Sequence, residues 1–192
     1  MQFCRKKINY SGLTAVNQLN LMGQVRTDQH TILSPSEAPA AEVINPAGKA
    51  GICLVCEHAS RKLPASLNHL GVKPEHHKSH AAWDIGARDL SVSLSRMLDA
   101  PLVASRVSRL VYDCNRPPDA PDAIPIKSEV VDIPGNANLS DAEKAARAMG
   151  TAGVAAAASR AATAAYGGVA PGASVRCLQA IAARSASLTR SS

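Results

Sequence analysis

Apolar residues along this chain fall into a few short, dense runs separated by polar stretches, and the runs differ in period. Residues 51–56, Gly-Ile-Cys-Leu-Val-Cys, are apolar at nearly every position, which predicts a strand buried on both faces over residues 52–55. A polar loop follows through Pro64. Over residues 74–98, Ile85, Leu90, Leu94, Met97 and Leu98 recur near the helical period, which predicts a helix that Pro101 terminates. Residues 102–104 and 110–112 then read as two further short strands. Strand, helix, strand order makes this an α/β protein with a mostly parallel sheet and flanking helices. Side chains at the ends of such strands lie where open α/β sheets place their binding crevice.

Patterning also divides the chain into three parts. Residues 1–49 are polar and punctuated by Pro35, Pro39, Pro46 and Gly48, and read as a loosely ordered lead-in. Residues 50–147 hold the organised α/β domain. Residues 148–192 are rich in Ala, Ser and Arg, with no acidic residue after Glu143 and no lysine after Lys144. Helix propensity is high over residues 154–165, but few large apolar side chains are present to bury, so this tail reads as lying outside the core. It resembles an out-of-frame translation of a GC-rich gene, the plainer alternative being an Ala-rich extension.

Composition narrows the function classes. With 192 residues and 46% hydrophobic content, the chain can build one sizeable core. The net charge of +6 is not gathered with aromatics, which make up 3% of residues, so no nucleic-acid partner is expected. No apolar run approaches the roughly 20 residues of a membrane helix, so no membrane partner is expected either. The five cysteines are odd in number and scattered, and residues 1–23 are broken by Arg5, Lys6 and Lys7, which excludes a signal peptide and points to a cytoplasmic location. Cys53 and Cys56 sit inside the first apolar run and read as buried small hydrophobes rather than as zinc ligands or a redox pair.

Three segments carry groups with chemistry: Cys-Glu-His-Ala-Ser at 56–60, His-Ala-Ala-Trp-Asp at 80–84, and Ser-Arg-Leu-Val-Tyr-Asp-Cys-Asn-Arg at 108–116. Imidazole and carboxylate bind divalent metals, and guanidinium clamps carboxylates with a two-pronged fork. Each residue also has a plainer role. His58 could be a loop histidine bonded to backbone. Asp84 could be the N-cap of the helix, accepting from the N–H of Gly86 or Ala87. His80 lies four residues before Asp84, on the same face of a continuous helix, as a third ligand or as a partner that orients Asp84. Asp113 could orient Arg109 or Arg116, or form only a structural ion pair. Glu57 is the carboxylate nearest His58 in sequence and a candidate for general base. His69, His76 and His77 read as solvated, and Trp83 as core.

In order and wording these segments, with Pro-Gly-Asn at 134–136, resemble the N-formylglutamate amidohydrolase family over residues 51–147. The resemblance implies a fold similar to the zinc-dependent exopeptidases (phosphorylase/hydrolase-like). It also implies metal-assisted hydrolysis of a linear amide, releasing formate and L-glutamate from N-formyl-L-glutamate or a related N-acyl acidic amino acid, as in histidine degradation. It implies Zn²⁺ or another divalent metal on His58 and Asp84, with His80 as a further ligand. Arg109, Asn115 and Arg116 would bind the substrate carboxylate, with Asp113 orienting one of the arginines. Full-length members have a later His-Ser/Thr segment and a late acidic residue, whereas all six histidines here lie at or before His80. The resemblance therefore leaves a second expectation open: a catalytically inactive truncated remnant or an acidic-ligand-binding protein. A nucleotide-binding domain is a third, weaker one, since no glycine-rich phosphate loop follows a strand.

Overall fold

The structure, a computed structural model, describes residues 32–116, 120–154, 157, 158, 160 and 161, with the backbone of residues 177–179. The strands and α-helices are β1 (Ala41–Ile44), β2 (Cys53–Cys56), α1 (Ala87–Leu98), β3 (Leu102–Ser105), β4 (Lys127–Ser128), β5 (Val131–Asp132), α2 (Asp141–Thr151) and β6 (Cys177–Gln179), with short 3-10 turns at Ala65–Gly71, Pro74–His76 and Pro134–Asn136. Four strands form a sheet in the order β1-β3-β2-β6, and β4 and β5 form a small hairpin. β2 runs parallel to both β3 and β6, whereas β1 is antiparallel to β3, so the sheet is mixed.

The central strand β2 is buried along its whole length, as its unbroken apolar run requires. Leu54 and Cys56 face α1, packing with Ala59, Ala87, Ala100, Leu102 and Ala104. Cys53 and Val55 face the other way, packing with Ala41, Val103, Val154, Ala157 and Ala161. A third cluster, with Leu70, Val72, Ala82, Leu110, Val111 and Ile133 at its centre, fills the space beneath the loops.

Four sequence expectations are corrected. Residues 32–49 are no loose lead-in: Ile32, Leu33 and Ala40 are buried, and Ala41–Ile44 is an edge strand of the main sheet. The expected tail also reaches the core: Thr151 is buried, and Val154, Ala157 and Ala161 are buried against the second face of the sheet. Small side chains suffice there because the chain lies close to the strands, so the size of an apolar face was the wrong criterion. The rest of the lead-in and of the tail lies outside the described residues, apart from the backbone of β6.

The third correction concerns the helix expected over residues 74–98. Only Ala87–Leu98 is α-helical. The preceding residues form successive tight turns, with N–H groups bonded three residues back (His76 to Lys73, Ser79 to His76, Ala82 to Ser79), and Gly86 at φ 81° sets off α1. The packed stripe of α1 is Ala87, Ser91 and Ser95, while Ile85 (60% exposed) and Met97 (81%) point to solvent. Periodicity identified a helix, but of the residues it picked only Leu94 packs against the core, and the others are exposed.

Fourth, residues 110–112 form no strand. Ser108 takes the backbone there: its Oγ accepts from Leu110 N at 3.2 Å, and its carbonyl accepts from Val111 N at 3.0 Å. With those N–H groups spent on a turn, no ladder can form.

Candidate functional site

His58 follows β2 by two residues, at the end of the sheet where the parallel strands β2 and β3 finish. Backbone bonds fix its surroundings. His58 O accepts from Asp84 N at 3.1 Å, Ser108 N donates to Lys62 O at 2.8 Å, and Ser108 Oγ donates to Ala82 O at 2.7 Å. Three stretches of chain, at residues 58–62, 82–84 and 108–113, are thereby stitched together; the second brings Asp84 to His58 and the third brings Asp113 and Arg109 to the group.

The imidazole is clasped on both edges. Nδ1 lies 3.1 Å from Asp84 Oδ2, and Nε2 lies 2.8 Å from Asp113 Oδ1. Arg109 closes the ring, donating from Nη1 to Asp84 Oδ1 at 3.2 Å and from Nη2 to Asp113 Oδ2 at 3.3 Å. Two carboxylates and two cations thus alternate around a closed circuit. Both ring nitrogens face acceptors, so the arrangement favours the imidazolium, in which both are donors. Burial opposes that charge, yet the bonds to Asp113 and Asp84 outweigh it and raise the His58 pKa from 6.5 to about 9. Asp84 is held below the usual carboxylate range chiefly by its bond to His58. Burial would raise Asp113, but His58, Arg109 and the Asn115 N–H together bring it down.

This geometry decides among the alternatives for Asp84. Its side chain does not cap α1, whose N-cap is Gly86 without any side-chain bond; instead it reaches His58 and Arg109. His80 does not join the group, because residues 80–84 are turns rather than one helix face. It pairs with Glu129 at 2.6 Å, both side chains being largely exposed. Asp113 accepts from His58, Arg109 and the Asn115 N–H and lies 3.9 Å from Arg116, making it the hub of the site. Arg116 Nε sits 3.1 Å from Asp122 at the rim. Glu57 is half-buried, and its charge acts on the thiols of Cys56 and Cys114. His69 and His77 stack on one another with centroids 5.0 Å apart, and His77 Nε2 is bonded to Val72 O, so these two are structural rather than merely solvated. Trp83 packs on the core edge beneath the Arg61 guanidinium, 5.5 Å from its ring centre.

The donor set can be tested against a metal. Two ligand atoms sharing a zinc through bonds of about 2.1 Å can be no more than about 4.2 Å apart. The 3.1 Å between His58 Nδ1 and Asp84 Oδ2 is compatible with that limit, and Asp113 on the opposite nitrogen stands where a ligating histidine has its orienting carboxylate. No group of three His, Cys, Asp or Glu able to hold a metal exists among the described residues. His58 and Asp84 could thus offer a metal ion two donor atoms, and no third lies with them among the described residues. The cysteines offer no substitute: burial raises all three described thiols, pushing Cys114 up to about 12.

Sequence reasoning quoted Pro134-Gly-Asn136 without giving it a task and passed over Arg147. Both lie in the support of the site. The available signal was a lone arginine amid alanines on α2, a charge in a stretch otherwise suited to burial.

Comparison with known proteins follows the same residues. A family model described as N-formylglutamate amidohydrolase matches residues 50–163. A crystal structure of the gene product Atu2144 from Agrobacterium tumefaciens is similar, with 44% sequence identity and a TM-score of 0.65, over 68% of this chain and 52% of that one. The chain thus spans about half the length of this relative. No curated protein matches the sequence. No helix among the described residues is long and apolar enough to cross a membrane.

Proposed function

The chain belongs to the N-formylglutamate amidohydrolase family, and from that premise we propose that it acts on a small N-acyl acidic amino acid, N-formyl-L-glutamate being the first candidate, through a metal-assisted site built on His58 and Asp84. The observation that carries this reading is the position of His58 at the end of β2 between Asp84 and Asp113. A divalent metal such as Zn²⁺ bound there would polarise the formyl carbonyl and lower the pKa of water toward about 7.

The chain's own residues then have separate tasks. His58 and Asp84 offer the donor atoms. Asp113 fixes the imidazole through Nε2, and Arg109 ties both carboxylates so that neither swings away. Asn115 and Arg116, at the rim and partly exposed, are the groups left to meet a substrate carboxylate; Arg116 would exchange Asp122 for it. Arg109 serves as a brace in this reading, since each of its Nη atoms already holds one of the two carboxylates.

A second reading is that the chain binds an acidic ligand without turning it over, and the lack of a three-ligand group among the described residues favours it. One experiment separates the two: purified chain with Zn²⁺ and N-formyl-L-glutamate, assayed for formate and for heat of binding, beside His58→Ala. His58-dependent formate release supports the hydrolase. Binding without release supports the second reading, and neither signal rejects both.

A further inference from the structure

Arg147 on α2 is only 4% exposed, yet it makes no ion pair with any described carboxylate. A buried guanidinium costs free energy unless its N–H groups are satisfied, so its partners show what the cost sustains. Nη1 donates to Asn136 Oδ1 at 2.6 Å, and Nη2 donates to Gly135 O at 2.8 Å. Asn136, itself 4% exposed, uses its amide nitrogen twice, donating to Leu110 O and to Pro125 O, each at 2.8 Å. The amide can face only one way: the guanidinium demands the oxygen, and the two carbonyls demand the nitrogen.

Those two carbonyls are the ends of one loop. Between those carbonyls the described residues 111–116 and 120–124 include Asp113, Asn115, Arg116 and Asp122. Within the loop, Asp113 N donates to Ala123 O at 2.8 Å. Gly135 lets the turn carrying Asn136 press against the chain, because a Cβ there would stand 2.8 Å from the Cα of Leu70. Pro134-Gly-Asn136 and Arg147 therefore form a single device.

We infer that Asn136, oriented by Arg147, is a positioning residue that closes the 110–125 loop and so sets where Asp113, Asn115 and Arg116 stand around His58. The claim that this affects substrate rests on the proposed function; the claim about the loop does not.

Asn136→Asp is the decisive variant, because it keeps an acceptor for Arg147 while replacing both N–H donors with an oxygen that faces two carbonyls. Backbone amide exchange of the full chain should accelerate by roughly tenfold or more within residues 110–125, with β2, β3 and α1 within about twofold of wild type. Unchanged loop exchange, or equal acceleration everywhere, would overturn the inference. If that variant fails to fold, Asn136→Ser, with one donor for two carbonyls, is read by the same criterion. Where the wild type hydrolyses N-formyl-L-glutamate, the variant should raise KM roughly tenfold with kcat within about threefold. A wild type without activity rejects the proposed function alone, and the exchange result still decides the clasp.

Discussion

His58 Nε2 and Asp113 Oδ1 meet at 2.8 Å with both side chains buried, so the central histidine is charged against a carboxylate that lies almost wholly out of water. The stability of the metal-free protein should therefore depend on pH at both ends. The folded pKa of His58 lies near 9 against an ordinary 6.5, so its contribution is complete below 6.5 and is lost as pH rises through about 9. Asp84 and Asp113 are depressed below their ordinary 3.8; their contribution is present above that value and is lost as pH falls below it. Thermal melts from acid to alkaline pH should show a plateau between these limits, and His58→Ala should remove the alkaline decline. An unchanged decline in that variant would refute the assignment.

Removing the hub should be costly. Asp113→Ala leaves a buried imidazolium and one arm of Arg109 without their partner, and breaking a buried pair in this way costs about 3 kcal/mol or more. Urea denaturation measures it. A loss under about 1 kcal/mol would mean that the circuit relaxes around the gap.

Zinc and the proton compete for His58 Nδ1. Affinity should rise by up to about tenfold per pH unit until pH approaches about 9 and then level off. Asp113→Asn should weaken binding by roughly 10- to 100-fold through loss of the orienting carboxylate, whereas His80→Ala should leave it unchanged. Competition with a chromophoric chelator reads all three. A strong effect of His80→Ala would return that residue to the site.

Arg116→Ala should raise KM for N-formyl-L-glutamate with kcat largely kept, because a carboxylate clamp acts alike in the ground and transition states. Loss of kcat at constant KM would assign Arg116 to the chemical step instead.

Truncation after residue 147 should fail to give a stable domain, since it uncovers Cys53, Val55 and Val103 on one face of the sheet. A milder test is Val154→Asp, which places a charge at a position 2% exposed and should cost roughly 3 kcal/mol or more. Soluble, cooperatively melting 1–147 protein would show the second face to be dispensable.

Much of the site was legible because its chemistry is written in side chains. His58, Asp84, Arg109 and Asp113 are few, charged and placed beside apolar runs, and these four converge. Misreadings came where backbone geometry or close approach decided. Nothing in residues 80–84 announces that Ala82 N bonds to Ser79 O and Asp84 N to His58 O, so His80 was read onto a helix face that does not exist. Ala87, Ser91 and Ser95 pack α1 although larger residues beside them suggested another stripe. The bond from Arg147 to Asn136 links an exposed-looking residue type to a turn that reads as punctuation, and only three dimensions join them.

Trp83, the only tryptophan in the sequence, is covalently next to Asp84 and lies under the Arg61 guanidinium. Indole emission is sensitive to nearby charge and to exposure, so the protein carries its own optical reporter one residue from the centre. Filling the site or emptying it should register as a change in intrinsic fluorescence without any label, which makes a simple titration in a cuvette the quickest way to learn what the centre accepts.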